Sequence, residues 1–142
     1  MTDLVVTAAQ VGVLDPTKAQ IKSYPAGATI TAGMAVAITT TGTVVAADAS
    51  TGGAHLIQLR GVALNGGGAG QAVDVLHEGE LFGFTIAGLD VGAVVYLSNT
   101  AGLLADAAGD VTVIAGVVNI VTDGPTFTKV LRLATAWTTI WA

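Results

Sequence analysis

Residues 60–76 read Arg60-Gly61-Val62-Ala63-Leu64, then the glycine run Asn65-Gly66-Gly67-Gly68-Ala69-Gly70, then Gln71-Ala72-Val73-Asp74-Val75-Leu76. A short acidic link leads on to Gly92-Ala93-Val94-Val95-Tyr96-Leu97. Short apolar runs between glycine clusters predict strands joined by turns. Valine, isoleucine and threonine fill the runs, and β-branched side chains suit a pleated, half-buried surface. No segment is long and helically periodic enough to compete.

The pattern is repeated. Gly33-Met34-Ala35-Val36-Ala37-Ile38-Thr39 reads as a strand, Thr41-Gly42 as a turn and Thr43-Val44-Val45-Ala46-Ala47-Asp48 as the return. Gly92 to Ser98, Ala101-Gly102 and Leu103-Leu104-Ala105-Asp106 match them with one residue inserted in the second turn. Val36 matches Val95 and Ile38 matches Leu97. Residues two apart share a strand face, so these pairs are expected in one core, with Ala37 and Tyr96 on the other face. Arg60 to Leu64 likewise matches Ala115-Gly116-Val117-Val118-Asn119. Each is followed by a turn and a further strand, Ala72–Leu76 in one half and Phe127–Leu133 in the other. Lys129 falls on the apolar phase of that last strand, which suggests an edge position.

The expected fold is therefore all-β: a small β-barrel or sandwich of two similar β-modules packed face to face. Residues 26–133 form this barrel domain. Residues 1–25 lack glycine clusters and read either as an edge strand with a loop or as an extended N-terminal arm lying on another subunit. Leu4, Val5, Val6, Val11, Val13 and Leu14 would anchor the arm. Residues 134–142 form a C-terminal tail holding both tryptophans, Trp137 and Trp141, together with Ile140. Burying one large aromatic is worth about 2–3 kcal/mol, so the tail either docks on its own barrel or packs at a subunit interface.

With 142 residues the chain is one domain. It is 52% hydrophobic but only 5% aromatic, so small aliphatic side chains must build the core. Charged residues make up 11%, against about 25% in an ordinary domain. So little charge implies apolar surface covered by other chains. Five cations and a net charge of −5 argue against nucleic acid. The absence of cysteine excludes disulfides and thiol chemistry. No basic residue precedes the apolar Leu4–Leu14, which makes a poor signal peptide. The Thr and Gly content of the uncharged run 23–47 argues against a membrane helix. The expectation is a soluble protein assembled in the cytoplasm.

Few groups could carry chemistry. The glycine run lacks a following Gly-Lys-Ser/Thr and a helix, so it reads as a flexible hairpin loop rather than a phosphate loop. Asp74, His77, Glu78 and Glu80 form the densest polar cluster. Strand spacing puts Glu78 and Glu80 on one face and His77 on the other, and the group reads as a solvated turn rather than a metal or glycosidase site. His55 has no evident partner, and Ser23, Ser50 and Ser98 lack a nucleophile elbow. The composition fits a binder or builder, not an enzyme, with no cofactor and no metal.

Gly61-Val62-Ala63-Leu64, the Gly/Ala loop, Ala72-Val73-Asp74-Val75, Glu78-Gly79 and Val91 to Leu97 occur in that order, followed by Ala115-Gly116-Val117-Val118 and Val130-Leu131-Arg132-Leu133. Across residues 26–133 this resembles the capsid decoration (cement) proteins of tailed bacteriophages. The resemblance implies a homotrimer on the outer surface of an expanded head, in the virion, where it locks major capsid protein subunits together and touches neighbouring trimers. The arm, with Lys18 and Lys22 meeting an acidic capsid surface, and the Trp137, Ile140 and Trp141 interface are the expected contacts. On this expectation a chain lacking residues 1–14 still folds but no longer coats heads. The rival reading is a glycan- or receptor-binding module of a surface fibre, using Tyr24, Tyr96 and the terminal tryptophans.

Overall fold

Residues 3–50, 56–86, 88–123 and 126–134 are described in a computed structural model of the chain. The fold is all-β. Its strands are β1 (Gly12–Val13), β2 (Gln20–Pro25), β3 (Ala35–Ile38), β4 (Val44–Ala46), β5 (Leu59–Ala63), β6 (Ala72–Phe82), β7 (Val94–Leu97), β8 (Leu104–Ala105), β9 (Ile114–Asp123) and β10 (Thr126–Ala134). They form one curled antiparallel sheet in the order β4-β3-β5-β6-β10-β9-β7-β8, with β1 and β2 added on β6. Among the described residues no helix is long and apolar enough to cross a membrane.

The duplication is real in the hydrogen-bond register. In the first module Ala35 opposes Val62 and Val36 opposes Gly61, then a bulge brings Ala37 to Leu59. In the second, Val94 opposes Val117 and Val95 opposes Gly116, and the same bulge brings Tyr96 to Ile114. Gly33 and Gly92 open the two modules at φ 88° and 90°, and Gly42 and Gly102 turn the two hairpins at 85° and 81°. These left-handed conformations cost a Cβ-bearing residue strain that glycine avoids.

Burial does not follow the repeat. Val95, Leu97, Leu104, Val118 and Leu131 line the main core, as expected. Their counterparts Val36, Val44, Ala63 and Val75 do not join them. They form a second, smaller core with Ala26, Ile30 and Val73, against which Ile38 packs. The first module turns its other face, Ala35, Ala37, Leu59, Val62 and Leu76, to the main core. The expected common phase of Val36 with Val95 is thus corrected: the modules stack face to back. The cause is the segment around Tyr24–Ile30, which covers the first module's inner face and leaves its back to meet the second module.

The acidic link between Leu76 and Phe82 is strand, not turn. β6 runs unbroken for 11 residues and serves both modules. Leu76 pairs with Val62 and Ile21, Glu78 with Ala134 and Gln20, and Leu81 with Leu131 and Val13. β5 and β10 therefore follow one another along one edge of β6, and residues 12–25 occupy the other. β10 lies between β6 and β9 over Leu131–Leu133, but its first half, Thr126–Val130, pairs with β9 alone. Only that half has the edge character that Lys129 suggested.

The N-terminal segment is laid on its own sheet. Asp3 bridges Ala105, and the Leu4 N–H donates to Leu104 C=O at 2.8 Å, covering the outer edge of β8. The buried Ser98 hydroxyl donates to the Asp3 carboxylate. Val6 bridges Phe84. At the far end Ala26 bridges Val44, covering β4. One segment thus closes both outer strands and the centre, which leaves few bare edges for aggregation.

Gly61 and Gly116 sit where strands cross closely. A Cβ at Gly61 would overlap the Leu76 carbonyl, and one at Gly116 the Arg132 carbonyl. Neither backbone can give way. Gly61→Ala and Gly116→Ala should each cost about 3 kcal/mol of unfolding free energy in urea melts, whereas Gly88→Ala, with nothing within 4 Å of its Cβ position, should stay within about 0.5 kcal/mol.

Candidate binding surface

The polar cluster on β6 is split by the pleat. Glu78 and Glu80 point outward, where Glu78 Oε1 lies 3.6 Å from Arg132 Nη2 and Glu80 Oε2 accepts from Asn119 Nδ2 at 3.1 Å. His77 points the other way and is only 6% exposed, so the solvated-turn reading is corrected. Among the described residues no group of three His, Asp or Glu could hold a metal.

His77 links three strands. Its Nδ1 lies 2.6 Å from the Arg60 carbonyl on β5, and only Nδ1–H can satisfy that acceptor. Nε2 is then a lone pair, and the Tyr24 hydroxyl on β2 donates to it at 3.0 Å. The two rings meet edge to face at 5.7 Å, and Lys22 Nζ lies 5.6 Å from the Tyr24 ring centre. Burial pushes the imidazole below its ordinary value of 6.5; the bond to Arg60 opposes this, and the charges of Lys22 and Arg60 add to it. Burial also raises the Tyr24 phenol. The neutral pair clamps β2 to β6, and it removes Tyr24 from the aromatics a glycan could stack on.

The glycine loop is tied down. Ile30 and Gly67 exchange two backbone hydrogen bonds of 2.8 and 2.9 Å, and Asn65 Oδ1 accepts from Asp74 N at 2.8 Å. Its function is to hold Ile30 over the second core.

The arm residues fall into different environments. Leu4 is buried, Val5 is 64% exposed, and Val6, Val11, Val13 and Leu14 are half-buried. Val6 and Val11 fill the space beside Gly33, and Val13 packs on the main core. Lys18 and Lys22 are exposed. Only Val5 and the lysines are free to meet another molecule without unpacking this one. Deleting residues 1–14 would strip Leu4 and Val13 from the core, so that truncation no longer separates folding from binding. Trp137, Ile140 and Trp141, like His55, lie outside the described residues.

An apolar opening lies elsewhere, where β10 parts from the chain following β6. Phe84, Thr85, Ile86, Phe127, Thr128 and Lys129 line a cleft of about 440 Å³. Thr85 also belongs to an adjoining hollow of about 300 Å³ that includes Leu4, Val5 and Leu89. Phe127 is 67% exposed, and Lys129 Nζ is held at 2.6 Å by the Leu89 carbonyl, so its charge is drawn to the rim. The apolar phase Phe127, Lys129, Leu131, Leu133 was visible in the sequence. That its first half overhangs the core was not.

His77 sets an acid limit. A folded pKa below the unfolded one means the unfolded chain binds the extra proton first, so stability falls as pH drops below 6.5. Denaturation midpoints should be level above about pH 7 and decline below 6.5, and His77→Gln should flatten that decline. Tyr24→Phe, which leaves Nε2 without its donor, should cost about 1–3 kcal/mol at pH 7. No protein-family model matches the chain, and no curated protein is detectably similar to it.

Proposed function

We propose that this protein is a capsid decoration (cement) protein: a homotrimer that binds the outer surface of an expanded phage head and stabilises contacts between major capsid protein subunits. One observation carries the reading. Val5, 64% exposed, and Phe127, 67% exposed, stand beside two neighbouring openings that share Thr85, on a chain in which charged residues make up 11%. Adhesion needs such surface, and solitary domains seldom leave it bare. The order of small residues and turns across residues 26–133 supports the same reading.

The mechanism is mechanical. Each subunit offers Val5 and the hollow beside it as an apolar contact, with the exposed Lys18 and Lys22 steering toward acidic capsid surface. Three subunits present three such contacts. Once one is made, the others form at high effective concentration, so weak single contacts become tight. Separating capsomers then requires breaking all of them.

Light scattering should give three times 14.0 kDa for the free protein. Val5→Asp, at a position exposed enough to leave the fold intact, should weaken co-sedimentation with expanded heads about tenfold or more. A solitary monomer, or a Val5→Asp variant that coats heads as well as the parent, would overturn the reading.

A further inference from the structure

The cleft is a split ladder. β6 and β10 pair from Glu78–Ala134 to Leu81–Leu131. Continued in register, that pairing would put Phe84 opposite Thr128, Thr85 opposite Phe127 and Ile86 opposite Thr126. Instead the strands part, and the residues that line the opening are those the ladder would have joined. Gly83, at φ 104°, turns the chain aside; a Cβ there would press on the Val11 backbone at 2.8–2.9 Å.

Both walls have main chain to offer. Thr85 N–H donates to Val5 C=O and Gly83 C=O accepts from Thr7 N–H, so these two residues face the N-terminal segment. Phe84, between them, directs its own N–H and C=O toward the cleft, where the described backbone gives them no ladder partner. Across the cleft, Thr126–Val130 pairs with β9 alone. Apolar side chains and open backbone on two facing strand edges fit one kind of guest, an extended strand that completes the sheet.

We propose that residues 135–142 of a second copy of this chain insert into the cleft as that strand. The segment reads Thr135-Ala136-Trp137-Thr138-Thr139-Ile140-Trp141-Ala142, with no charge, glycine or proline. Trp137, Thr139 and Trp141 share one face of a strand, and Thr138 and Ile140 the other. Such a segment suits a cleft whose one charged wall residue, Lys129, is already engaged at the rim. The donor is a neighbouring copy because β10 runs away from the cleft toward Ala134. To fill its own cleft, the chain would have to double back along the whole paired stretch Leu131–Ala134. Each copy gives one strand and receives one; where the rotation between copies closes, such a head-to-tail contact makes a ring, and three copies make the proposed trimer. The inference rests on that self-association and specifies the contact that produces it.

The test uses the full chain, which has no native cysteine. One batch carries Thr85→Cys; the other carries Thr138→Cys or Thr139→Cys, one on each strand face. Mixed, dissociated, reassembled and oxidised, the batches should give a disulfide-linked heterodimer at one tail position and not the other. Phe127→Asp should weaken association about tenfold or more by light scattering, with an unchanged circular dichroism spectrum. An oligomer with no heterodimer overturns the strand insertion and leaves the trimer standing. A disulfide formed within one chain of the double variant overturns the exchange between copies. A monomer at all concentrations overturns the trimer itself.

Discussion

The main chain of β6 is paired on both edges, and the rest of the molecule takes its place from that. A buried strand must satisfy every N–H and C=O. At Leu76, Glu78 and Leu81 the partners come from both sides at once. On one edge two strands share the work end to end, so β5 has to leave where β10 arrives. On the other edge residues 12–25 do it alone, which is why the N-terminal segment is part of the fold and not an appendage. Gly61 and Gly116 are demanded by the close strand crossings, because any side chain would strike a carbonyl oxygen.

The face-to-back stacking of the modules explains the composition. A module covered on both faces needs apolar residues at successive positions, and Ala35, Val36 and Ala37 are all fully buried. Thin sheets packed this way have room for alanine and valine but little for aromatics. Among the described residues the second module is fully covered on one face and partly covered on the other. Its back carries Val94, Tyr96, Val117 and Ile114, of which Ile114 is 46% exposed. The same repeat therefore yields one saturated module and one with apolar surface to spare.

Strand addition recurs through the structure. The N-terminal segment caps β8, lines β6 and caps β4 by adding main chain to open edges. Among the described residues, the splayed end of the β6–β10 ladder is a place where this device is left unused. A protein whose proposed work is adhesion would then bind neighbours by the interaction that folds it, with polar surface charge playing a minor part. The neutral His77–Tyr24 clamp sits on the same β2–β6 edge, so acid would loosen the segment on which closure of the sheet depends.

The all-β class, the two modules and their hairpin turns were legible in the sequence, because period-two alternation and glycine at left-handed turns are local requirements. That Gly61 opposes Val36 and Gly116 opposes Val95 was decided only in the structure, where the two modules share one register. Which face of each module would be buried was not legible, since two equal patterns can be covered from opposite sides by a distant segment. His77 looked like part of a polar turn because its neighbours are acidic; only the strand continuing through it, with Tyr24 and the Arg60 carbonyl at either nitrogen, buried it. The cleft was hidden for a similar reason. Local sequence specifies that Phe127 and Lys129 share a face with Leu131 and Leu133, but where a neighbouring strand turns aside is decided by contacts made far away in the chain.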